Sequence, residues 1–461
     1  MKYFTRVTWF ALILSMSVIG CRKKDRLPGV TPINVIVKTS YDTDGASYSF
    51  PLEGISIKMT EMSNSSVLSK QTDINGLAIY NNIMPGTYNI DAAITITKTQ
   101  YETITGLTLD RDDVTFNASL TNVTLNSTTN NTLDLKLVLG KIGDWVLKQI
   151  YYAGSHTTNG AVFRDQFIEI YNNSNKVLYA DSLYISQLSG SNTVSPDFST
   201  GYFINNGGVF QGQWDWSKSI GMTIGADAVN KYVYAKTLFR IPGTGTSYPV
   251  QPGESIVVAA TAVNHKAPYT GALGTAIAIN DPSLTVDLSR ASFEIYLGNL
   301  ISNPFNSDLD NPDVPNLAVI ETGGNRDLIL DNPGRDAIAI FKTNAFLPLF
   351  NQTATGDWPR YPSPNITAIT ASTSLFYRVP NDVIIDAVQL QHITPGSRVP
   401  RKVSGVLDAG AIAVPGGQYS SQSVIRKTAK VVGGRKILKD TNNSTEDFIT
   451  LPRSLPGAFA E

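Results

Sequence analysis

Apolar side chains in this chain recur at every second position, in short runs cut by Gly, Pro, Asn and Asp. Ile33-Asn34-Val35-Ile36-Val37 and Ile55-Ser56-Ile57-Lys58-Met59 are two such runs. A strand sends successive side chains to opposite faces, so a period of two builds half-buried sheets and defeats a helix. Few stretches keep a helical period. The expected fold class is all-β, and one further feature narrows it. Cys21 is the only cysteine in 461 residues, so no disulfide within the chain braces the sheets. Stability must come from β-sheet cores, which a chain of this length is able to supply.

The N-terminus has a different build. Lys2 and Arg6 give a basic start, residues 7–18 form an apolar stretch, and Val18-Ile19-Gly20-Cys21 follows. The stretch is shorter than the roughly 20 apolar residues of a spanning helix. This pattern resembles the signal and lipobox of bacterial lipoproteins. The resemblance implies that residues 1–20 are an export signal and that Cys21 becomes the lipid-modified first residue. Acylation would also remove a lone thiol from an oxidising compartment, where it is a liability. Residues 21–31 then read as a basic, proline-containing tether. No acidic residue directly follows Cys21, so the expected address is the outer membrane, anchored by lipid, with either face open. The formal net charge is −1, or −3 once Lys2 and Arg6 are removed. Nucleic-acid binding would require a basic patch that this balance does not supply.

Two segments follow. In residues 32–140, Asp73-Ile74-Asn75-Gly76 reverses the chain, with Asn-Gly expected to provide the positive φ of a tight turn. Leu77, Ile79 and Ile83 are expected to continue the apolar face, and Leu133, Leu135, Leu137 and Leu139 to close it. The order Pro51-Leu52-Glu53-Gly54-Ile55, Thr72-Asp73-Ile74-Asn75-Gly76, Pro85-Gly86-Thr87-Tyr88 resembles the carboxypeptidase-regulatory-like, transthyretin-like family. That implies a small seven-stranded, non-catalytic sandwich serving as a stalk, or else one with a ligand-binding face of its own.

In residues 143–461, Phe167-Ile168-Glu169-Ile170-Tyr171-Asn172 is a strand whose polar face should carry Glu169. Pro252-Gly253-Glu254 precedes an apolar strand, Ile385-Asp386-Ala387-Val388 comes late, and Ser423-Val424-Ile425-Arg426 and Pro456-Gly457 close the series. In that order the pieces resemble a lamin-tail β-sandwich with long loop insertions. The pair of domains also resembles outer-membrane lipoproteins of unknown function, which often accompany TonB-dependent transporters.

Candidate chemistry is sparse. Asp308, Asp310 and Asp313 offer oxygens to Ca²⁺, but without the turn Gly or distal Glu of an EF-hand loop, and Asp and Asn beside Pro also form plain turns. Asp42-Thr43-Asp44-Gly45 reads as a loop. His156, His265 and His392 lie far apart in sequence. Neither G-x-S-x-G followed by a helix nor H-E-x-x-H appears, so the expectation is a non-enzyme with no cofactor. The foremost binding candidate is the insertion holding Tyr202, Phe210, Trp214 and Trp216. If extended, Trp214 and Trp216 share a face and form an amide-rimmed platform for a sugar or other flat, polar-edged ligand; the competing expectation is that the rings pack in the core. The functional expectation is an envelope binding protein capturing a nutrient, glycan or protein partner beside a transporter. The alternatives are an adhesion module and a hydrolase hidden in the insertions.

Overall fold

A computed structural model describes residues 31–43, 48–63, 66–107, 113–128, 131–139, 144–205 and 212–460. Cys21, the signal, Asp44, Gly45 and Phe210 lie outside the described residues. The chain is all-β, as its period of two requires.

Seven strands make the first domain: β1 (Ile33–Tyr41), β2 (Ser56–Glu61), β3 (Val67–Gln71), β4 (Leu77–Ile83), β5 (Gly86–Thr97), β6 (Asp113–Leu125) and β7 (Thr132–Leu139). They pair in the order β3-β2-β5-β6-β7-β1-β4, with β1 parallel to β7. Only two residue pairs join β6 to β7, and the sheet folds across that seam around one core. Val35, Val37, Ile57, Met59, Ile90 and Leu137 fill it. Gly76 alone supplies the positive φ of the 73–76 turn, and its N–H donates to Asp73 O at 2.9 Å. A Cβ there would lie 2.8 Å from Thr39 Oγ1, so the position is closed to other residues.

The phase of β4 departs from the expectation. Ala78 and Tyr80 face the core while Ile79 is exposed, and Asn82, at φ 60°, turns Ile83 back inward. The alternation counted from Leu77 is therefore shifted by one, which in a strand exchanges the two faces. At the far end of β7, Leu139 is exposed.

The second domain is a sandwich of two sheets. One runs Phe293–Glu294, Ser255–Ala259, Phe167–Asn172, Trp145–Tyr151, Ser423–Arg426, Phe448–Leu451. The other runs Ala318–Glu321, Leu238–Arg240, Tyr184–Gln187, Ala337–Phe341, Ile384–Gln389. Leu147, Ile168 and Val258 of the first sheet meet Ile185, Ile338 and Val388 of the second in a shared core. A three-stranded sheet of Tyr232–Ala235, Phe376–Pro380 and Arg360–Tyr361 extends one side.

The lamin-tail-like motifs meet as structure. Glu169 does not face solvent: it is fully buried and pairs with buried Lys148 at 2.8 Å. Gly457, of the terminal Pro-Gly, donates its N–H to Glu169 Oε2 at 3.2 Å, and Lys148 Nζ lies 3.8 Å from the Phe459 ring centroid. Burial pushes the Lys148 ammonium down, and Glu169 opposes that shift. Asp386 of the late strand and Arg426 meet at 2.6 Å, with Asp440 and Asp447 at 3.1 and 3.4 Å from the same guanidinium.

The domains touch through the outer face of β2, β5 and β6. Alternation sends Ile57, Met59, Ile90 and Ala92 inward, so Lys58, Thr60, Asn89 and Asp91 share the opposite face. Lys58 Nζ pairs with Glu446 at 2.7 Å, and Asn117 Nδ2 donates to Thr441 O at 2.6 Å.

Candidate functional site

The aromatic insertion folds, and it is not an extended platform. Residues 202–204 pair antiparallel with residues 213–215, Ile204 N donating to Gln213 O and Asp215 N to Tyr202 O. Asp215 then caps a 3₁₀ turn, Trp216–Lys218, by accepting from Ser217 N at 3.2 Å. That turn rotates Trp216 away from the face of Trp214. Trp216 stacks on Tyr234 with centroids 3.6 Å apart, while Trp214 stacks on Phe203 at 4.6 Å. Half-buried Tyr202 packs against the same cluster. Large rings bury more apolar area here than a flat loop would, so packing wins and the expectation that Trp214 and Trp216 share one exposed face is corrected.

Trp214 nevertheless borders a hollow. It and Phe376 form one wall of a cavity of about 540 Å³ between the insertion and the sandwich. Across it stand Asn192, on the loop after Tyr184–Gln187, and Lys236, in the turn after Tyr232–Ala235. Asp336, just before Ala337–Phe341, and Lys402 complete a charged floor. Lys402 Nζ pairs with Asp336 Oδ1 and donates to Asn192 Oδ1 at 2.9 Å. Lys236 Nζ and Gln187 Nε2 each reach Asp336 Oδ2 at 3.4 Å. Burial alone would raise the Asp336 carboxyl, but the two ammonium groups hold it below its ordinary range. Gly190 makes the floor possible, since a Cβ there would sit 2.5 Å from Lys402 Cγ.

Ser191, Ser363, Ser374 and Asn365 add hydroxyls and an amide to the rim. Lys236 keeps 31 % of its side chain exposed, and an ammonium has three donors. The hollow thus presents hydrogen-bonding groups of both kinds around an aromatic wall, over a floor with net charge near +1. Asp336 is the one carboxylate among its lining residues. Lys236, Asp336, Lys402 and Asn192 were not anticipated from the sequence. Nothing but the fold gathers a turn Lys, a pre-strand Asp and a loop Lys 66 residues beyond it.

The other candidates disperse. Asp308 is buried and accepts from Leu297 N at 3.2 Å, whereas Asp310 and Asp313 are exposed. Asp310 accepts from Asn316 Nδ2 at 2.7 Å. The segment uses its oxygens to brace a loop, which corrects the three-carboxylate calcium set. His156 and His392 each accept local backbone N–H groups at Nδ1, and buried His265 meets Thr261 O at 3.0 Å. Among the described residues, no three His, Cys, Asp or Glu side chains gather to hold a metal.

A family model described as a protein of unknown function, DUF4876, matches residues 251–453. The match takes in Asp336, Phe376 and Lys402 of the hollow, and stops short of Asn192, Trp214 and Lys236. Among solved structures, the chain is similar to a DUF4876 family protein from Bacteroides thetaiotaomicron. The two are 23% identical with a TM-score of 0.49, over 91% of this chain and 95% of that one. A DUF3823 family protein from Bacteroides ovatus also matches, at 11% identity and a TM-score of 0.14, over 50% of this chain and 98% of that one. No curated protein matches the chain.

Proposed function

We propose that this chain is a lipid-anchored cell-envelope binding protein that captures a glycan, or a similarly hydroxyl-rich molecule, in the hollow beside Trp214. The observation that carries the reading is the lining: amides, hydroxyls and an ammonium converge on a space sized for a small ligand. The same lining argues for binding over hydrolysis. Glycoside hydrolysis uses two opposed carboxyl groups, and Asp336 is clamped in its ionised form by two lysines. Cys21 as a lipid anchor would place the hollow at the outer membrane, with the first domain as spacer. A neighbouring TonB-dependent transporter is the proposed recipient of the ligand. Among the described residues, no helix is long and apolar enough to cross a membrane.

Calorimetry of the mature chain against a panel of neutral mono- and oligosaccharides tests the reading. At least one sugar is expected to bind, and Asn192→Ala and Lys236→Met should each weaken it roughly tenfold, the worth of one good hydrogen bond. A panel without a binder, or binding indifferent to both variants, overturns it. Cys21→Ala should release the protein from the membrane fraction; a variant that stays there rejects the anchor.

A further inference from the structure

The interface between the domains is not closed. Thr60, Asn89 and Asp91 of β2 and β5 face the 391–413 stretch across a cavity of about 440 Å³. Met62, Phe198, Pro400 and Ile412 give it apolar walls. Two buried polar side chains on those walls each carry an atom without a hydrogen-bond partner among the described residues: Gln391 Oε1 and Arg401 Nε. Gln391 is 9% exposed and Arg401 7%. The rest of each group is in use. Gln391 Nε2 donates to Val399 O at 2.9 Å, and the Arg401 Nη atoms hold the carbonyls of Asp408 and Gly410.

A third group adds charge. Half-buried Arg398 donates Nε to His392 O at 3.3 Å, and its Nη1 lies 3.7 Å from Met62 Sδ across the interface. Arg401 is attracted by the carboxyls of Asp408 and Asp91, without a direct ion pair to either among the described residues, and Arg398 has no carboxylate partner there. A buried donor or acceptor left unpaired forfeits its hydration, so native proteins rarely leave one without a purpose. Here an unmatched N–H and an unmatched C=O border the same cavity, beside a guanidinium without a counter-ion.

We propose that this interdomain cavity is a second binding site, for a small hydroxylated organic carboxylate. The carboxylate would lie toward Arg398 and the Nε–H of Arg401, and a hydroxyl would donate to Gln391 Oε1. Asp91 on the wall and Asp408 behind it both attract Arg401, which leaves Arg398 as the cation without a counter-charge. Guanidinium geometry suits a planar carboxylate, and the apolar walls call for a carbon skeleton that a bare inorganic anion lacks. The volume lies within the usual range for small-molecule sites. Such a ligand would also bridge the two domains.

Calorimetry of the mature chain at neutral pH, with glucuronate, gluconate and lactate as probes and glucose and inorganic phosphate as controls, tests the proposal. Glucose, if it binds, is expected to do so in the Trp214 hollow, phosphate weakly, and at least one hydroxy acid in this cavity. Arg398→Gln and Gln391→Leu should each lower that affinity roughly tenfold or more. Arg401 is left intact because its guanidinium holds the 408–410 backbone. Asn192→Ala, in the Trp214 hollow, should leave hydroxy-acid binding unchanged, which separates this site from the sugar site. Three results would each overturn the proposal: none of the three acids binds; phosphate binds as well as the acids, or glucose binding falls with them in the cavity variants; or affinity survives both cavity variants with their melting temperatures preserved.

Discussion

Replacing Arg426 with alanine is expected to cost roughly 3–5 kcal/mol of folding stability, the usual penalty for breaking a buried ion group by removing one partner. The guanidinium is 2% exposed and serves five acceptors. Nε donates to Leu147 O at 2.9 Å, Nη2 to Asp386 at 2.6 Å, and Nη1 to Lys439 O, Asp440 and Asp447 at 3.0–3.4 Å. Its plane also lies 4.6 Å from the Phe448 ring centroid. Alanine leaves three carboxyl groups buried around an empty space. Burial already pushes Asp386 and Asp447 up against the pull of Arg426, so without it they escape charge by taking up protons. The loss should therefore be larger at pH 8 than at pH 5. Lysine should rescue only in part, because a point charge cannot reproduce the fork. Urea unfolding of the three proteins at both pH values decides. An alanine variant within 1 kcal/mol of the parent at pH 8, well below that range, would show that the cluster contributes no net stability.

That cluster also explains what was legible in the sequence. The motifs that looked like a lamin tail are the ones that solve burial problems. Asp386 and Arg426 neutralise each other, Glu169 and Lys148 do the same, and Gly253, at φ 85°, fits where a Cβ would meet Arg435 Cγ at 2.8 Å. Such positions admit few residue types, so they leave a readable pattern across long intervals. Alternation exposed the strands for a similar reason, although Asn82 shows how one positive φ shifts a face without a strong signal. The hollow left no comparable trace. Lys236, Asp336 and Lys402 are ordinary residues at loop and strand ends, and the turns that juxtapose them depend on the closed sandwich. Trp214 was visible because tryptophan is rare, but rarity carried no information about which side of the ring would be covered. The interdomain cavity is further removed, since it exists only where the outer face of β5 meets a loop some 300 residues later.

The melting temperature is expected to rise as pH falls from 8 toward about 5, opposite to a protein stabilised by ion-paired carboxylates. Several buried acids make no direct ion pair among the described residues, although Lys58 and Arg401 attract one of them, Asp91, from farther off. Asp165 is fully buried; Tyr151 donates to its Oδ2 at 3.1 Å, and Oδ1 has no partner among the described residues. Desolvation pushes it up to about 7. Glu294 is pushed up to about 7 by burial, despite N–H donors from Ala262 and Asn311. Burial takes Asp308 and Asp91 to about 6, and Asp327 well above its ordinary value. Unfolded carboxyl groups titrate near 4, so between about pH 4 and 7 the native state holds more protons than the unfolded chain, and stability falls as pH rises. His265 works the other way. Burial lowers it to about 4, so it favours folding less as pH falls below about 6.5, but it is one group against five. Asp181 ends the gain at low pH. Burial opposes its ionisation, yet N–H groups of Ser247, Tyr248 and Gly245 hold it at about 2, and the stability it adds above about pH 4 is lost as pH falls toward that value. Asp165→Asn isolates one term. It keeps an acceptor for Tyr151 and removes the titration, so it should stabilise the protein at pH 8 by at most roughly 4 kcal/mol, by less than half of that at pH 5, and hardly at all below about pH 4. Thermal melts of the parent and variant from pH 4 to 8 measure both slopes. If the variant melts no higher than the parent at pH 8, burial does not penalise the ionised Asp165 carboxyl.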